Sequence, residues 1–133
     1  MRRAAVAAVV LALAACGEEA PDLFVVKRSG EGRNAKLTMV VSDDGTVTCN
    51  GRQHELPAKS LLQARGLTRD MGDSAKLALD LPARPGSVLS YQVRMQAGTI
   101  AFADTSRPIP VPLIRLEQFT ADVSENVCGL SHD

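Results

Sequence analysis

Aromatic side chains and histidines are scarce in this sequence. Its 133 residues include no Trp, one Tyr, three Phe and two His. A core without Trp must be built mainly from aliphatic residues and Met. His54 lies in a polar stretch, and His132 is next to the last residue, where chains rarely stay ordered. Two such isolated histidines argue against a Ser/His/Asp catalytic set.

Recognisable catalytic and cofactor motifs are also missing. The chain contains no G-x-S-x-G, H-E-x-x-H, P-loop or G-x-G-x-x-G pattern. Its paired carboxylates have simpler explanations. Asp43 and Asp44 stand before Gly45 as turn formers, and Asp70 and Asp73 have the spacing of a solvated helix face. We therefore expect no catalytic residues, no cofactor and no metal, and hence a protein that is not an enzyme.

Neither sign of charge predominates. Lys and Arg together number 15, and so do Asp and Glu. No cluster of basic residues stands out along the sequence. The chain thus lacks the electrostatic footprint of a nucleic-acid-binding protein and the polybasic segment that binds anionic membranes.

The one long apolar run lies at the N-terminus. It spans residues 4–15 and follows Arg2 and Arg3. Two cations followed by a short apolar run are typical of a secretory signal peptide. A membrane-spanning helix needs about 20 apolar residues, so the run is too short for one. We predict that residues 1–15 are a signal peptide.

The end of this run resembles a bacterial lipobox, with the sequence Leu13-Ala14-Ala15-Cys16. In lipoproteins a diacylglyceryl group is attached to such a Cys thiol and the leader is cut just before it. Two or three acyl chains are enough for stable anchoring. We therefore predict lipidation of Cys16, a tether over residues 16–22, and attachment to the extracytoplasmic face of the cell membrane. Simple secretion, with Cys16 as a spare thiol, is the alternative.

Two further cysteines remain, Cys49 and Cys128. An exported chain meets an oxidising environment, so we predict a disulfide between them. The loop it closes would be long, which the chain-entropy model values at roughly 4 to 5 kcal/mol. Two buried free thiols are the alternative. A metal site fits poorly, because there is no CxxC spacing and few histidines.

Apolar residues alternate with polar ones in the first half of the mature chain, which indicates strands. The predicted strands are residues 23–28, 35–42 and 46–50. Asp44 and Gly45 supply a hairpin turn between the last two. Residues 51–55 are predicted as a loop.

Helical spacing begins after Pro57, which suits the first turn of a helix. Its predicted apolar stripe is Leu61, Ala64, Thr68, Met71 and Ala75. Two strands are predicted over residues 88–96 and from about Ile100 to Asp104, with a turn at Gly98. Alternate prolines make residues 107–112 extended. A last amphipathic helix has Leu113, Leu116, Phe119, Val123 and Val127 on its apolar stripe.

These elements give the order β-β-β-α-β-β-α. We predict a single α+β domain over residues 23–130, with an antiparallel sheet of about five strands and two helices on one of its faces.

A set of short motifs resembles the emfourin family, small proteins similar to the inhibitor of the thermolysin-like metalloprotease protealysin. The motifs are the opening strand that ends in Lys27-Arg28-Ser29-Gly30, the Asp44-Gly45 turn, Tyr91-Gln92-Val93, the turn at Gly98, and Pro112-Leu113 leading into a helix with Leu116. The resemblance covers about residues 23–127. It implies a similar fold and, as the alternative function, protease inhibition. The lipobox and the Cys49/Cys128 pair depart from the family's pattern.

Two functions therefore stay open. The first is a lipid-anchored binding or structural module of the bacterial envelope, with a protein partner. The second is an emfourin-like inhibitor, which would block a protease cleft with the segment after Cys16 or with the loop over residues 29–34. A binding module should have an exposed apolar patch or groove, whereas an inhibitor needs an ordered protrusion with apolar side chains.

Overall fold

The computed structural model describes residues 22–131. The predicted signal peptide, the predicted lipidation site Cys16, the rest of the tether up to Pro21, and His132 lie outside these residues.

The described chain forms six strands and three helices. In chain order they are β1 Asp22–Gly30, β2 Leu37–Ser42, β3 Thr46–Cys49, β4 Arg52–Glu55, α1 Ala58–Asp70, α2 Gly72–Lys76, β5 Leu89–Met95, β6 Gly98–Ala103 and α3 Val111–Asn126. The strands form one sheet in the order β4-β3-β2-β1-β5-β6, and every neighbouring pair is antiparallel. The α+β class with an antiparallel sheet is confirmed, with six strands instead of about five.

The core lies on one face of this sheet. The strand side chains that point to this face are buried together with one side of each helix, because strand residues alternate between the two faces. They include Phe24, Val26, Met39, Val41, Val93 and Ile100 from the strands, and Ala64, Met71, Leu113, Leu116 and Val123 from the helices. The opposite face of the sheet carries no helix and is open.

The sequence-based prediction missed β4. Residues 51–55 were expected to be a loop, but Arg52–Glu55 pairs with β3 along its full length. The chain reverses at Asn50 and Gly51, which have φ values of 48° and 83°. Positive φ at two successive residues is the geometry of a tight hairpin turn, and Asn-Gly favours it. The strand was missed because it is short, lies at the sheet edge and lacks an apolar alternation.

The first predicted helix is divided in two. α1 ends at Asp70 and α2 begins at Gly72, with Met71 between them at φ −85° and ψ −9°. Pro57 precedes the helix as its N-cap residue and is not part of the first turn. Leu67 is buried, whereas Thr68, which was assigned to the apolar stripe, is only half-buried. The outer edge of β6 is covered by residues 79–81, since the amide of Leu81 donates to the carbonyl of Ala101 at 2.8 Å.

The predicted disulfide between Cys49 and Cys128 is confirmed. Its two Cα atoms are 6.3 Å apart, and it joins residues separated by 79 positions in the sequence. Cys49 is the last residue of β3, and Cys128 follows the end of α3. The bond therefore fixes the end of the last helix to the sheet.

Candidate binding groove between the helices

Within residues 22–131, the structure places His54 and the acidic residues considered from the sequence in separate surroundings. His54 lies on β4, opposite Val47. Asp43 forms an ion pair with Arg65 at 2.7 Å. Asp44 accepts hydrogen bonds from the hydroxyl and the amide of Thr46, and the bond from the hydroxyl is the main reason why the pKa of Asp44 is lowered. Both aspartates thus act as turn residues, as expected.

Two findings concern metals and membranes. Within residues 22–131, no group of three or more His, Cys, Asp or Glu side chains is placed to hold a metal ion. In the same part of the chain, no helix has the length and apolarity needed to cross a membrane.

The loop over residues 29–34 is exposed but held at its end. The side-chain amide of Asn34 donates to the carbonyl of Ser131 at 2.6 Å. The guanidinium of Arg28 donates to the carbonyls of Asn34 and Ala35, at 2.8 and 3.0 Å. Because the loop contains Ser, Gly, Glu, Arg and Asn, it offers no large apolar side chain to another protein.

Arg28 directly precedes the loop, and its side chain is only 2% exposed. It shares the core-facing side of β1 with Phe24 and Val26, and it lies against Tyr91. Burial raises the pKa of Tyr91, and the neighbouring Arg28 opposes this shift. The ring of Tyr91 stacks on that of Phe102 at a centroid distance of 4.9 Å. The pair of Arg28 and Tyr91 therefore fixes the start of the loop over residues 29–34, and its role is structural.

A groove lies between α1 and α3 on the outer side of the helical layer. Its volume is about 430 Å³, and its lining residues are Gln63, Gly66, Leu67, Asp70, Arg115, Gln118, Phe119 and Asp122. Arg115 and Asp70 are 3.9 Å apart, which places the end of α1 beside the start of α3. The two helices therefore run in opposite directions along the groove. A volume of several hundred Å³ is within the usual range for ligand sites.

The floor of the groove is apolar and rigid. Leu67 and Phe119 are each 6% exposed, so only a small part of each side chain is open to a ligand. Phe119 packs edge-on against Phe24 of the central strand, with ring centroids 5.9 Å apart. The floor thus rests directly on the sheet.

The rim of the groove is polar and carries more negative than positive charge. Asp70 lies 3.9 Å from both Arg69 and Arg115, a distance at the outer limit for ion pairs. Asp122 accepts a hydrogen bond from Asn126 at 2.7 Å and has no ion pair with any residue of the described chain. The far end of the rim, at Asp122, can therefore accept a cationic group from a ligand.

Gly66 opens the groove on the side of α1. A glycine inside a helix costs up to about 1 kcal/mol relative to alanine. A Cβ atom there would be in ordinary van der Waals contact with the Arg69 guanidinium, 3.7 Å away, so it would meet no steric clash. From the sequence alone, a glycine at this position would only weaken the helix. The structure shows that it lines the groove.

Exposed apolar side chains extend the groove at both ends. Leu62 is 67% exposed and lies one turn before Gly66 on α1. Val111 is 57% exposed, lies one turn before Arg115 on α3, and has the exposed Ile114 three residues on. These three side chains are not lining residues, but they form apolar flanks on the same two helices as the groove.

The chain matches no protein-family model, no curated protein and no solved structure.

Proposed function

We propose that this chain is a lipid-anchored, extracytoplasmic binding protein of a bacterial envelope, and that it holds a segment of a partner protein in the groove between α1 and α3. The observation that carries the proposal is the groove itself, with its buried floor at Leu67 and Phe119 and its exposed apolar flanks. The role is binding and not catalysis.

The lining residues indicate what kind of segment would fit. Leu67 and Phe119 would contact an apolar side chain. The amides of Gln63 and Gln118 would hydrogen-bond to the backbone of the bound segment. The carboxylate of Asp122 favours a Lys or Arg near the apolar residue. The expected ligand is therefore a short segment with an apolar residue beside a basic one.

Lipid anchoring in this proposal comes from the lipobox at Cys16. The Cys49–Cys128 bond supports an extracytoplasmic location, because disulfides persist in oxidising compartments and are rare in the cytosol.

The experiment is a selection from a random peptide library with the purified mature protein, followed by affinity measurements on the enriched peptides. Enriched peptides should share an apolar residue next to a Lys or Arg. Gly66→Leu should fill the groove and weaken binding by about tenfold or more, which is about 1.4 kcal/mol. Asp122→Asn should lower the affinity for those peptides that contain a Lys or Arg.

Gly72→Leu is the matched control. Gly72 is also a helical glycine, a Cβ atom there would meet nothing within 4 Å, and it does not line the groove. This variant should bind the selected peptides as the parent does. Equal binding by the parent and Gly66→Leu would exclude the groove as the binding site.

Inhibition of a thermolysin-like metalloprotease is the alternative, based on the motifs that resemble the emfourin family. The loop over residues 29–34 argues against this alternative, because it has no apolar side chain to enter a protease pocket. An activity assay with such a protease separates the two functions. Stoichiometric inhibition that survives Gly66→Leu would favour the alternative.

A further inference from the structure

The face of the sheet that carries no helix has an uneven distribution of charge. The outward-pointing residues of β2, β1, β5 and β6 that are at least partly exposed are Thr38, Val40, Ser42, Val25, Lys27, Ser29, Ser90, Gln92, Arg94, Thr99 and Ala101. None of these residues on the four strands is acidic, whereas the edge strand β4 places the exposed Glu55 on the same face, opposite Thr46. The two charged residues that point outward from the four strands, Lys27 and Arg94, are both cations.

The two cations are close together because β1 and β5 are neighbours. In the register of these strands, Lys27 is opposite Gln92, and Arg94 is opposite Val25. Lys27 and Arg94 are thus diagonal neighbours, a relation that brings side chains to within about 8 Å. Together with Thr99 they border a shallow depression of about 70 Å³. Both are exposed, and neither has an ion pair with another residue in the range 22–131.

A third cation adjoins this face. Lys36 is exposed between the buried Ala35 and Leu37, so it points away from the core. It immediately precedes β2, which lies on the other side of β1 from β5. The remainder of the face is neutral apart from Glu55 at the outer edge on β4, which leaves three cations against one anion.

The proposed anchor enters the domain at the middle of this sheet. β1 has two strands on one side and three on the other, and it begins at Asp22. Asp22 is six residues after Cys16. A chain of six residues spans at most roughly 20 Å when it is fully extended. A lipid on Cys16 would therefore keep the whole sheet close to the lipid headgroups.

We propose that the open face of the sheet lies on the membrane, where Lys27, Arg94 and Lys36 contact anionic lipid headgroups. The inference rests on the lipid anchoring in the proposed function. The excess of positive charge on this face is complementary to the negative charge of such headgroups. Because the helices cover the opposite face, this orientation points the groove between α1 and α3 away from the membrane, where a partner protein can reach it.

Lysine acylation of the full lipidated protein in vesicles tests the orientation. The vesicles contain phosphatidylcholine with phosphatidylglycerol, or phosphatidylcholine alone, and the modified lysines are identified by mass spectrometry. Lys59 and Lys76 lie on the helical side and serve as internal references. One cation near an anionic leaflet shifts the equilibrium by about fivefold. In anionic vesicles the acylation of Lys27 and Lys36 should therefore fall at least about fivefold relative to the references, and it should recover without phosphatidylglycerol.

Two double variants complete the test, with Lys36 as the reporter. Lys27→Gln with Arg94→Gln should raise the acylation of Lys36 in anionic vesicles towards that of Lys76. Lys59→Gln with Arg69→Gln removes the same charge from α1 and should leave Lys36 protected. If the protein sediments with the vesicles but all lysines react equally, the orientation is wrong and the anchoring stands. If the protein does not sediment with the vesicles at all, the proposed lipid anchor itself fails.

Discussion

Phe119 of α3 meets Phe24 of β1 edge to face, with ring planes inclined at 71°. Phe24 is 1% exposed and belongs to the central strand of the sheet. Phe119 therefore has two roles, since one side of its ring packs into the core and the other forms the floor of the groove. Any change at this position should alter stability and binding together.

Phe119→Leu should lower the free energy of unfolding by about 1 to 2 kcal/mol, since it removes an edge-to-face contact and leaves a small void. Urea denaturation measures the change. Val111→Ala on the same helix is the control. Val111 is largely exposed, so this variant should stay within roughly 0.5 kcal/mol of the parent. An unchanged midpoint for Phe119→Leu would mean that the ring does not support the helix.

Cys49→Ser should destabilise the domain by roughly 3 to 5 kcal/mol, because the bond it removes closes a long loop of the unfolded chain. The measurement is thermal unfolding with and without a reducing agent. The parent should lose stability on reduction, and the variant should not respond. Equal melting temperatures for variant and parent would contradict a stabilising disulfide.

Cys16→Ala should release the protein from the membrane fraction, because the lipid would have no attachment site. Cell fractionation and labelling with radioactive palmitate measure this. A protein with both Cys49→Ser and Cys128→Ser keeps Cys16 and is the matched control. It should remain labelled and sediment with the membranes. Membrane association of Cys16→Ala would rule out the lipobox interpretation.

Glu117→Gln should stabilise the domain at neutral pH. The Oε1 atom of Glu117 is buried and has no hydrogen-bond partner in the described chain. Burial raises the pKa of Glu117, and the carboxylate of Asp104 raises it further. The positive charge of Arg107 acts in the opposite direction and lowers it. A carboxyl group with a raised pKa holds its proton more tightly in the folded state, so stability falls as pH rises from the ordinary pKa of glutamate through the folded pKa.

The expected gain from Glu117→Gln at neutral pH is about 1 kcal/mol or less, because the residue is partly exposed. This gain should disappear on acidification below the ordinary pKa of glutamate. Urea denaturation over a pH series measures it. Glu55→Gln replaces an exposed glutamate on β4 and should change stability by less than roughly 0.5 kcal/mol. A gain that is the same at every pH would show that charge is not its cause.

The strands with a buried face could be predicted because their alternation is local. Every second residue from Leu37 to Val41 is buried, and the Asp44-Gly45 turn fixes where β3 must begin. β4 escaped prediction for the opposite reason. It is a polar edge strand, so its sequence has no alternation of apolar and polar residues. Its one sequence signal is the Asn50-Gly51 pair, which favours a hairpin turn.

The groove could not be predicted, because it depends on how two helices far apart in the sequence pack together. Gly66 reads as a helix weakness until α3 lies beside it. The proximity of the cations on the open face could not be predicted for the same reason. Lys27 and Arg94 are isolated charges along the chain, and they become neighbours only through the pairing of β1 with β5.

The covering of β6 by residues 79–81 has a consequence for neighbouring copies of the protein. Copies anchored in one membrane would diffuse in two dimensions. They would collide far more often than the same number of copies in solution. Exposed strand edges would then tend to pair edge to edge into extended sheets. At one edge of this sheet, the backbone amide and carbonyl of Ala101 are already hydrogen-bonded to Leu79 and Leu81. At the other, β4 offers just four residues, charged at both ends by Arg52 and Glu55. Both edges discourage polymerisation, so copies can crowd on a surface and remain separate molecules.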